Sequence, residues 1–245
     1  MNGYRQNIER AKIAVIMLAT LFAVIASSII ARFWQLGVIA DYQLGAADIA
    51  QLQLTDNVVR ILALAYIVVF ILSATFFIRW FRRAYYNIIC LRPEDGYYTE
   101  GWAAGAWFVP FMNLIRPYRI MQELWQGTLK LLSGNSDIEY PSNLLRAWWI
   151  TWLLYNFVRA GSSWLTMMRK TIDSIKLFLA LDIIGYSIGL LSLICIILIV
   201  RKYAELEKRV EEAISLPQDS IFALNTNIAN YQTDNYGNEI PKNHT

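Results

Sequence analysis

The sequence predicts an all-α membrane protein: a four-transmembrane-helix bundle with a broken re-entrant or interfacial segment and a cytoplasmic amphipathic helix. Three observations support this fold class. Apolar residues make up 56% of the 245-residue chain and gather in uncharged stretches about as long as a bilayer is thick. The 22 basic and 19 acidic residues lie mostly outside those stretches. One further apolar segment is too short to cross a membrane and contains a proline.

Four stretches have the length and composition of transmembrane helices. Nineteen uncharged residues precede Arg32, eighteen precede Arg79 and eighteen precede Arg201. At about 1.5 Å per residue, each approaches the ~30 Å hydrocarbon core of a bilayer. A fourth stretch follows Arg146 and is interrupted only by Arg159. The predicted spans are residues 13–31, 61–78, 147–168 and 177–200, within a membrane domain of residues 1–215.

Basic residues set the orientation of the predicted bundle. With the N-terminus inside, sixteen of the 22 Lys and Arg residues fall on the cytoplasmic side and six on the outer side. Cytoplasmic loops carry such an excess, so both termini are expected in the cytoplasm. The first span follows basic residues, as the apolar region of a signal peptide does. Its nineteen uncharged residues exceed the ~7–15 of the apolar region of a signal peptide, and we interpret it as a retained anchor.

The segment from residue 100 to 132 is predicted to lie at the cytoplasmic face. Fifteen uncharged residues, 101–115, would form a helix of only about 22 Å. Pro110 removes a backbone donor and disfavours helix at the residue before it. A fifth crossing would also place the basic residues after Val200 outside. The segment therefore either enters the membrane as a broken helix or lies on its surface, and Thr99 is positioned to cap its start.

An amphipathic helix is expected to follow, with Pro117 in its first turn. Its predicted apolar face consists of Met121, Leu124, Trp125, Thr128 and Leu132. This pattern is typical of a helix lying in the membrane interface.

Beyond the last span, residues 201–214 are predicted to continue as a charged helix. Tyr203, Leu206, Val210 and Ile214 fall on one narrow seam, which fits either a solvated extension of the span or a surface for a partner helix. From residue 216 to 245 the sequence is rich in Asn and turn-forming residues. This stretch is predicted to be a disordered cytoplasmic tail.

Two neighbouring runs carry a resemblance to a known family. They are FIRWFRRAYYN from Phe77 to Asn87 and YTEGWAAGAWFVPFMNLIRPY from Tyr98 to Tyr118. Together they closely resemble the bacterial membrane family catalogued as domain of unknown function 4328, with the signature concentrated between Phe77 and Trp125. The resemblance implies an integral protein of a bacterial cytoplasmic (inner) membrane. It supplies no activity, substrate or catalytic residues.

Arg159 is the residue that a membrane would tolerate least without a partner, because a central cation costs about 2.5–3.5 kcal/mol on insertion scales. If the last two spans form an antiparallel hairpin, Arg159 and Asp182 lie at similar depth and are candidates for an intramembrane ion pair. That pair could be purely structural. It could also form part of a site for a ligand, an ion or a partner.

Two further sets of residues are candidates for binding. The signature segment contributes Gly101, Trp102, Gly105, Trp107, Pro110, Asn113, Arg116 and Pro117. Arg79, Arg82, Arg83 and Arg119 could hold anionic lipid headgroups, or could simply anchor the cytoplasmic ends of the spans. Glycines four residues apart, at 101 and 105 and again at 185 and 189, allow helices to approach closely, within this chain or between copies.

The residues needed for catalysis are scarce. The only histidine is His244, in the predicted tail, and the two cysteines, Cys90 and Cys195, have no metal-ligand spacing. A net charge of +3 does not indicate a nucleic-acid partner. We therefore expect no enzyme, metal or cofactor, but a module that binds lipid, a small ligand or a protein partner, including another copy. A small transporter, channel or membrane sensor is the alternative, and a membrane enzyme is a weaker one.

Overall fold

The computed structural model describes residues 3–93, 98–133, 140–166 and 171–215, and these ranges contain helices and no strand. The predicted tail, 216–245, lies outside the described residues. The helices are α1 (Ile8–Gln43), α2 (Ile49–Leu91), α3 (Glu100–Gly105), a short 3-10 helix (Met112–Leu114), α4 (Arg116–Ser133), α5 (Ser142–Thr166) and α6 (Ile172–Ser215). The all-α prediction is confirmed for the described part of the chain.

Three helices, α1, α2 and α6, are long and apolar enough to cross a membrane. They contain the predicted spans 13–31, 61–78 and 177–200. The third predicted span, 147–168, begins in α5, and residues 167 and 168 lie outside the described residues. Polar residues such as Asn156 and Arg159 lower the apolar character of α5. A membrane crossing by residues 147–168 therefore remains a prediction.

Local chemistry explains where the long helices begin and end. Gly45 follows α1 with φ of 74°, a left-handed conformation that glycine adopts without strain. At the start of α2, the Asp48 carboxylate accepts from the Gln51 amide at 2.8 Å, and the Gln51 side chain accepts from the Asp48 amide at 3.2 Å. Thr171 and Ser174 make the corresponding reciprocal contacts at the start of α6. These capping boxes satisfy amides that lack helical partners.

The chain divides into two compact units, with the boundaries inside α1, α2, α5 and α6. Unit 1 comprises Met1–Ala11, Ile78–Leu145 and Val200–Thr245, and unit 2 comprises Lys12–Phe77 and Arg146–Ile199.

Unit 1 has a densely packed aromatic core. The Tyr203 ring lies edge-on to Trp80 and Trp125, with centroids 5.9 and 5.6 Å away. The Tyr203 and Thr128 hydroxyl oxygens are 2.8 Å apart, so the buried polar end of the tyrosine is also satisfied. The predicted apolar face of α4 is confirmed as one continuous buried face. It is buried inside unit 1, however, and is not available to the membrane interface as we expected.

Unit 2 differs from unit 1 in the large apolar side chains that it exposes. Large apolar side chains such as Ile61, Leu64 and Phe157 are exposed, whereas polar side chains including Thr55 and Ser73 are buried. Only 11% of the most apolar window of α2 is buried. Exposed apolar helices with polar interior contacts are the arrangement expected of helices surrounded by lipid.

Candidate functional site

Asp182 lies at the centre of a polar network in unit 2. Its carboxylate is 0% exposed and accepts from two guanidinium groups. Arg159 Nη1 contacts Oδ1, joining the two residues that the sequence paired. Arg32 contacts Oδ2 through Nε and Nη2, each at 2.9 Å. The pair is therefore a triad. Sequence reasoning missed Arg32, because its contact with Asp182 depends on how α1 packs.

The network continues from Arg32 to α2. Arg32 Nη1 donates to Gln35 Oε1 at 3.0 Å, and Gln35 Nε2 donates to Asp56 Oδ1 at 2.6 Å. Hydrogen bonds thus connect α5, α6, α1 and α2 within unit 2. Asp56 ends the network as an exposed side chain. A cavity of about 460 Å³ adjoins this end, lined by Arg32, Gln35, Ile39, Tyr42, Leu52, Asp56, Ile172, Ile175 and Leu179.

Aromatic residues surround Arg159. Its guanidinium lies 4.8 Å from the centroid of the Tyr186 ring, a favourable cation–π position. A Cβ on Gly189 would lie 3.0 Å from the Tyr155 ring, and one on Gly185 would lie 3.2 Å from a Val158 methyl carbon. The two glycines therefore allow α6 to pack closely against α5 within this chain.

Gly101 and Gly105 do not serve the same purpose. A Cβ on Gly105 would meet nothing within 4 Å, and one on Gly101 would meet only the Thr99 hydroxyl oxygen at 3.8 Å. Close packing within this chain was the wrong interpretation of this pair, because α3 ends after six residues and the described residues place no helix against the two glycines. Packing between copies stays a prediction. Thr99 lies at the N-cap of α3 but makes no capping hydrogen bond with its side chain, contrary to our expectation.

The signature segment exposes an apolar tip, which we define as residues 108–115. Within the described part of unit 1, every exposed large apolar side chain belongs to this tip: Phe108, Val109, Phe111, Leu114 and Ile115. Phe111 is 84% exposed and has φ of 63°, the only positive φ outside glycine among the described residues. A bulky residue in this region is strained, and such strain tends to occur at functional positions.

The rest of the signature segment fixes the tip to unit 1. The Arg116 guanidinium lies 3.9 Å from the Trp102 centroid and 5.3 Å from that of Tyr98. Its Nη1 is buried and has no hydrogen-bond partner among the described residues. Trp107 packs against Phe81 at 6.4 Å and donates to the Ala103 carbonyl at 3.1 Å.

Pro117 and Asn113 complete the description of the signature segment. Pro117 is buried in the first turn of α4, as expected, where its missing N–H costs nothing. The Asn113 side chain is half-buried and makes no hydrogen bond with the described residues.

The arginines predicted to bind headgroups do not form one uniform patch. Arg82 pairs with Glu100 at 2.8 Å, and Arg119 lines a separate cavity with Tyr98, Gln122, Glu123 and Gln126. Arg83 lies 5.9 Å from the Tyr86 centroid, and Arg5 lies 4.8 Å from the same centroid.

Arg10 lies near Arg79, because its guanidinium donates to the Arg79 carbonyl at 3.4 Å. Burial, followed by repulsion from Arg83, Arg79 and Arg5, lowers the pKa of Arg10. Sequence reasoning missed Arg5 and Arg10, since they belong to the N-terminal segment.

Glu207 forms a buried site that sequence reasoning also missed. Both of its carboxylate oxygens accept from Asn7 Nδ2, at 2.8 and 3.2 Å, and the residue is 3% exposed. Burial raises the pKa of Glu207 to about 7, although hydrogen bonds from Asn7 and Trp80 oppose this rise. The sequence contains one indication of this burial. Glu207 lies four residues after Tyr203, so it falls on the same face of the helix as the apolar seam.

The described residues contain no group of three or more His, Cys, Asp or Glu side chains arranged to hold a metal ion. The observed chemistry is that of ion pairs, aromatic contacts and exposed apolar surface.

Comparison with known proteins identifies the family. No curated protein and no solved structure matches the chain. The model of one family, described as Domain of unknown function (DUF4328), matches residues 44–205. The match includes the whole signature segment, the tip and the residues of the Asp182 triad other than Arg32. This chain belongs to the DUF4328 family.

Proposed function

We propose that this protein is a non-catalytic membrane module that binds anionic phospholipid through its signature segment. In this proposal the chain crosses a bacterial cytoplasmic membrane four times, at residues 13–31, 61–78, 147–168 and 177–200, with both termini in the cytoplasm. The apolar tip enters the cytoplasmic leaflet from unit 1.

The apolar tip is the observation that carries the proposal. Elsewhere in the described part of unit 1, large apolar side chains are buried or half-buried. Burying a Phe, Leu or Ile side chain is worth about 1.5–3 kcal/mol. Exposure of several neighbours to water would therefore be costly, and insertion into lipid removes that cost. The strained backbone at Phe111 supports a tip shaped to present its side chains outward.

Arg116 supports the choice of an anionic headgroup. It follows the tip directly, and its stacking on Trp102 fixes the guanidinium plane. Arginine binds phosphate oxygens with paired N–H groups, and each basic residue near an anionic surface is worth about 1 kcal/mol. Nη1 has no hydrogen-bond partner among the described residues, and a phosphate oxygen is the kind of acceptor that would satisfy it.

Native mass spectrometry of the full-length protein tests this proposal. The protein would be extracted from nanodiscs containing equal amounts of phosphatidylglycerol and phosphatidylcholine with matched acyl chains. We expect preferential retention of phosphatidylglycerol, and we expect Arg116→Gln to abolish that preference.

Arg201→Gln is the matched control, because it removes the same charge from an exposed position that makes no ion pair with the part of the chain that the structure describes. If the two substitutions had equal effects, the lipid preference would depend only on the net charge of the protein. That result would contradict the proposal. A lower melting temperature of Arg116→Gln with unchanged lipid preference would show that Arg116 only stabilises the fold.

A further inference from the structure

The cavity at the Asp56 end of the polar network has the features of a small-molecule site. Its volume of about 460 Å³ lies within the range typical of ligand pockets, ~300–1,000 Å³. Ile39, Leu52 and Leu179 give it an apolar wall, whereas Arg32, Gln35 and Asp56 supply polar groups. The wall fits an aliphatic body, and the polar groups determine the charge that the ligand must carry.

Asp56 offers a negative charge to this cavity. Its Oδ1 accepts from Gln35, which orients the carboxylate. The other oxygen has no partner among the described residues, and the side chain is exposed. A carboxylate oxygen in this state favours an ammonium group, to which it can form a charge-assisted hydrogen bond.

Arg32 offers a positive charge to the same cavity. Asp182 neutralises only one of the two guanidinium groups that contact it, so the triad keeps an excess charge of about +1. Arg32 is 14% exposed. Its Nη1 and Nη2 each use one N–H on Gln35 or Asp182, and each carries a second N–H that can meet an acid group. The contacts to Asp182 and Gln35 hold the guanidinium in place before a ligand arrives.

We propose that this cavity binds a zwitterionic ligand with an aliphatic body, its ammonium group on Asp56 and its acid group on Arg32. A ligand with only a positive charge would meet the excess charge of the triad. A ligand with only a negative charge would meet Asp56. Gln35 bonds to both charged residues and so fixes their separation. The chemistry is shared by free aliphatic amino acids and by phosphatidylethanolamine, and this site goes beyond the lipid contact proposed for the tip.

Calorimetric titration of the full-length protein in nanodiscs tests the amino acid source with three probes of similar shape. Leucine carries both charges, isopentylamine lacks the acid group, and 4-methylpentanoate lacks the ammonium group. Native mass spectrometry of Arg116→Gln, which removes the headgroup contact proposed for the tip, tests the lipid source by comparing retained phosphatidylethanolamine with phosphatidylglycerol. We expect the zwitterion of one source to be preferred by roughly tenfold, the effect of one charge-assisted hydrogen bond.

Asp56→Asn should remove this preference, whereas Asp48→Asn, the same change at an exposed helix cap, should leave it intact. Leu52→Trp should block binding by filling the cavity while leaving both charged residues in place. The proposal is overturned if no zwitterion is preferred over its singly charged analogues. It is equally overturned if Asp56→Asn and Asp48→Asn behave alike.

Discussion

The two units differ in the apolar side chains that they expose. Unit 1 buries Trp80, Trp125 and Tyr203 in an aromatic core, as a water-soluble domain does. Unit 2 exposes many of its large apolar side chains and buries the charged Asp182 between two arginines. The apolar tip, 108–115, is the exception in unit 1, because it exposes large apolar side chains as unit 2 does. The surroundings of each segment can therefore be inferred from the side chains that the segment exposes.

The largest expected effect concerns the buried charge in unit 2. Asp182→Ala leaves two arginines without their shared carboxylate, and we expect a loss of about 3–5 kcal/mol in stability. Arg159→Ala should cost less, because Asp182 keeps Arg32. The double variant should recover only part of the loss, since Arg32 remains unpaired. Thermal unfolding in detergent measures these differences, with Asp173→Ala as the exposed control on α6. Additive single effects would mean that the residues do not interact.

The contrast between the units can be tested with one substitution type. Leu124→Ala removes a fully buried side chain from unit 1 and should cost about 2–5 kcal/mol. Leu64→Ala removes a side chain that is 61% exposed in unit 2 and should cost less than about 0.5 kcal/mol. Chemical unfolding of both variants in the same detergent measures the difference. Equal losses of stability in the two variants would mean that the units do not differ in how far they bury these leucine side chains.

The stability of unit 1 should depend on pH through Glu207, which lies seven residues beyond the predicted span 177–200. Its pKa rises from 4.5 to about 7 on folding. The folded state therefore holds a proton that the unfolded state releases, and stability falls as pH rises from about 4.5 through 7. Tyr4, Tyr203 and Glu211 are the titratable groups around it, and none supplies a positive charge.

Glu207→Gln should flatten this dependence and raise the melting temperature above pH 7, whereas Glu205→Gln at an exposed position should change neither. Melting temperatures measured across this pH range provide the check. A wild-type melting temperature that rises between pH 4.5 and 7, or identical profiles for the two variants, would contradict this account.

The smallest expected effect comes from the two glycine pairs. Gly189→Ala forces a Cβ against Tyr155 and should destabilise the protein by about 1 kcal/mol. Gly105→Ala meets open space and should be neutral or slightly stabilising, since alanine favours helix by about 1 kcal/mol over glycine. If Gly189→Ala and Gly105→Ala shifted the melting temperature in the same direction, close packing would not distinguish the two glycine pairs.

The sequence predicts those features that depend on local pattern. Uncharged stretches locate the three helices that can cross a membrane, and the spacing of residues 121–132 identifies the buried face of α4. Arg159 and Asp182 can be paired from the sequence, because both residues are equally distant from the turn of the predicted hairpin. Local pattern could not reveal Arg32 or Asn7, since each reaches its partner from a distant part of the sequence.

Amphipathicity alone also misassigned the surface that faces the membrane. An apolar helix face can be buried against protein or against lipid, and the pattern of α4 is the same in both cases. The tip was predicted as part of a broken segment from Pro110, but its exposure depends on the turn at Phe111, which no propensity indicates.

The depth of residue 111 in the bilayer distinguishes a tip inserted into lipid from a tip exposed to water. A nitroxide would be attached at Phe111→Cys in protein whose Cys90 and Cys195 are replaced, and its collisions with oxygen and with a water-soluble nickel chelate would be measured in proteoliposomes. The same label at the exposed Gln126 of α4 provides the control. We predict that residue 111 is accessible to oxygen and protected from nickel, whereas residue 126 is accessible to nickel. Equal nickel accessibility at the two positions would show that the tip lies in water and would contradict its insertion into the membrane.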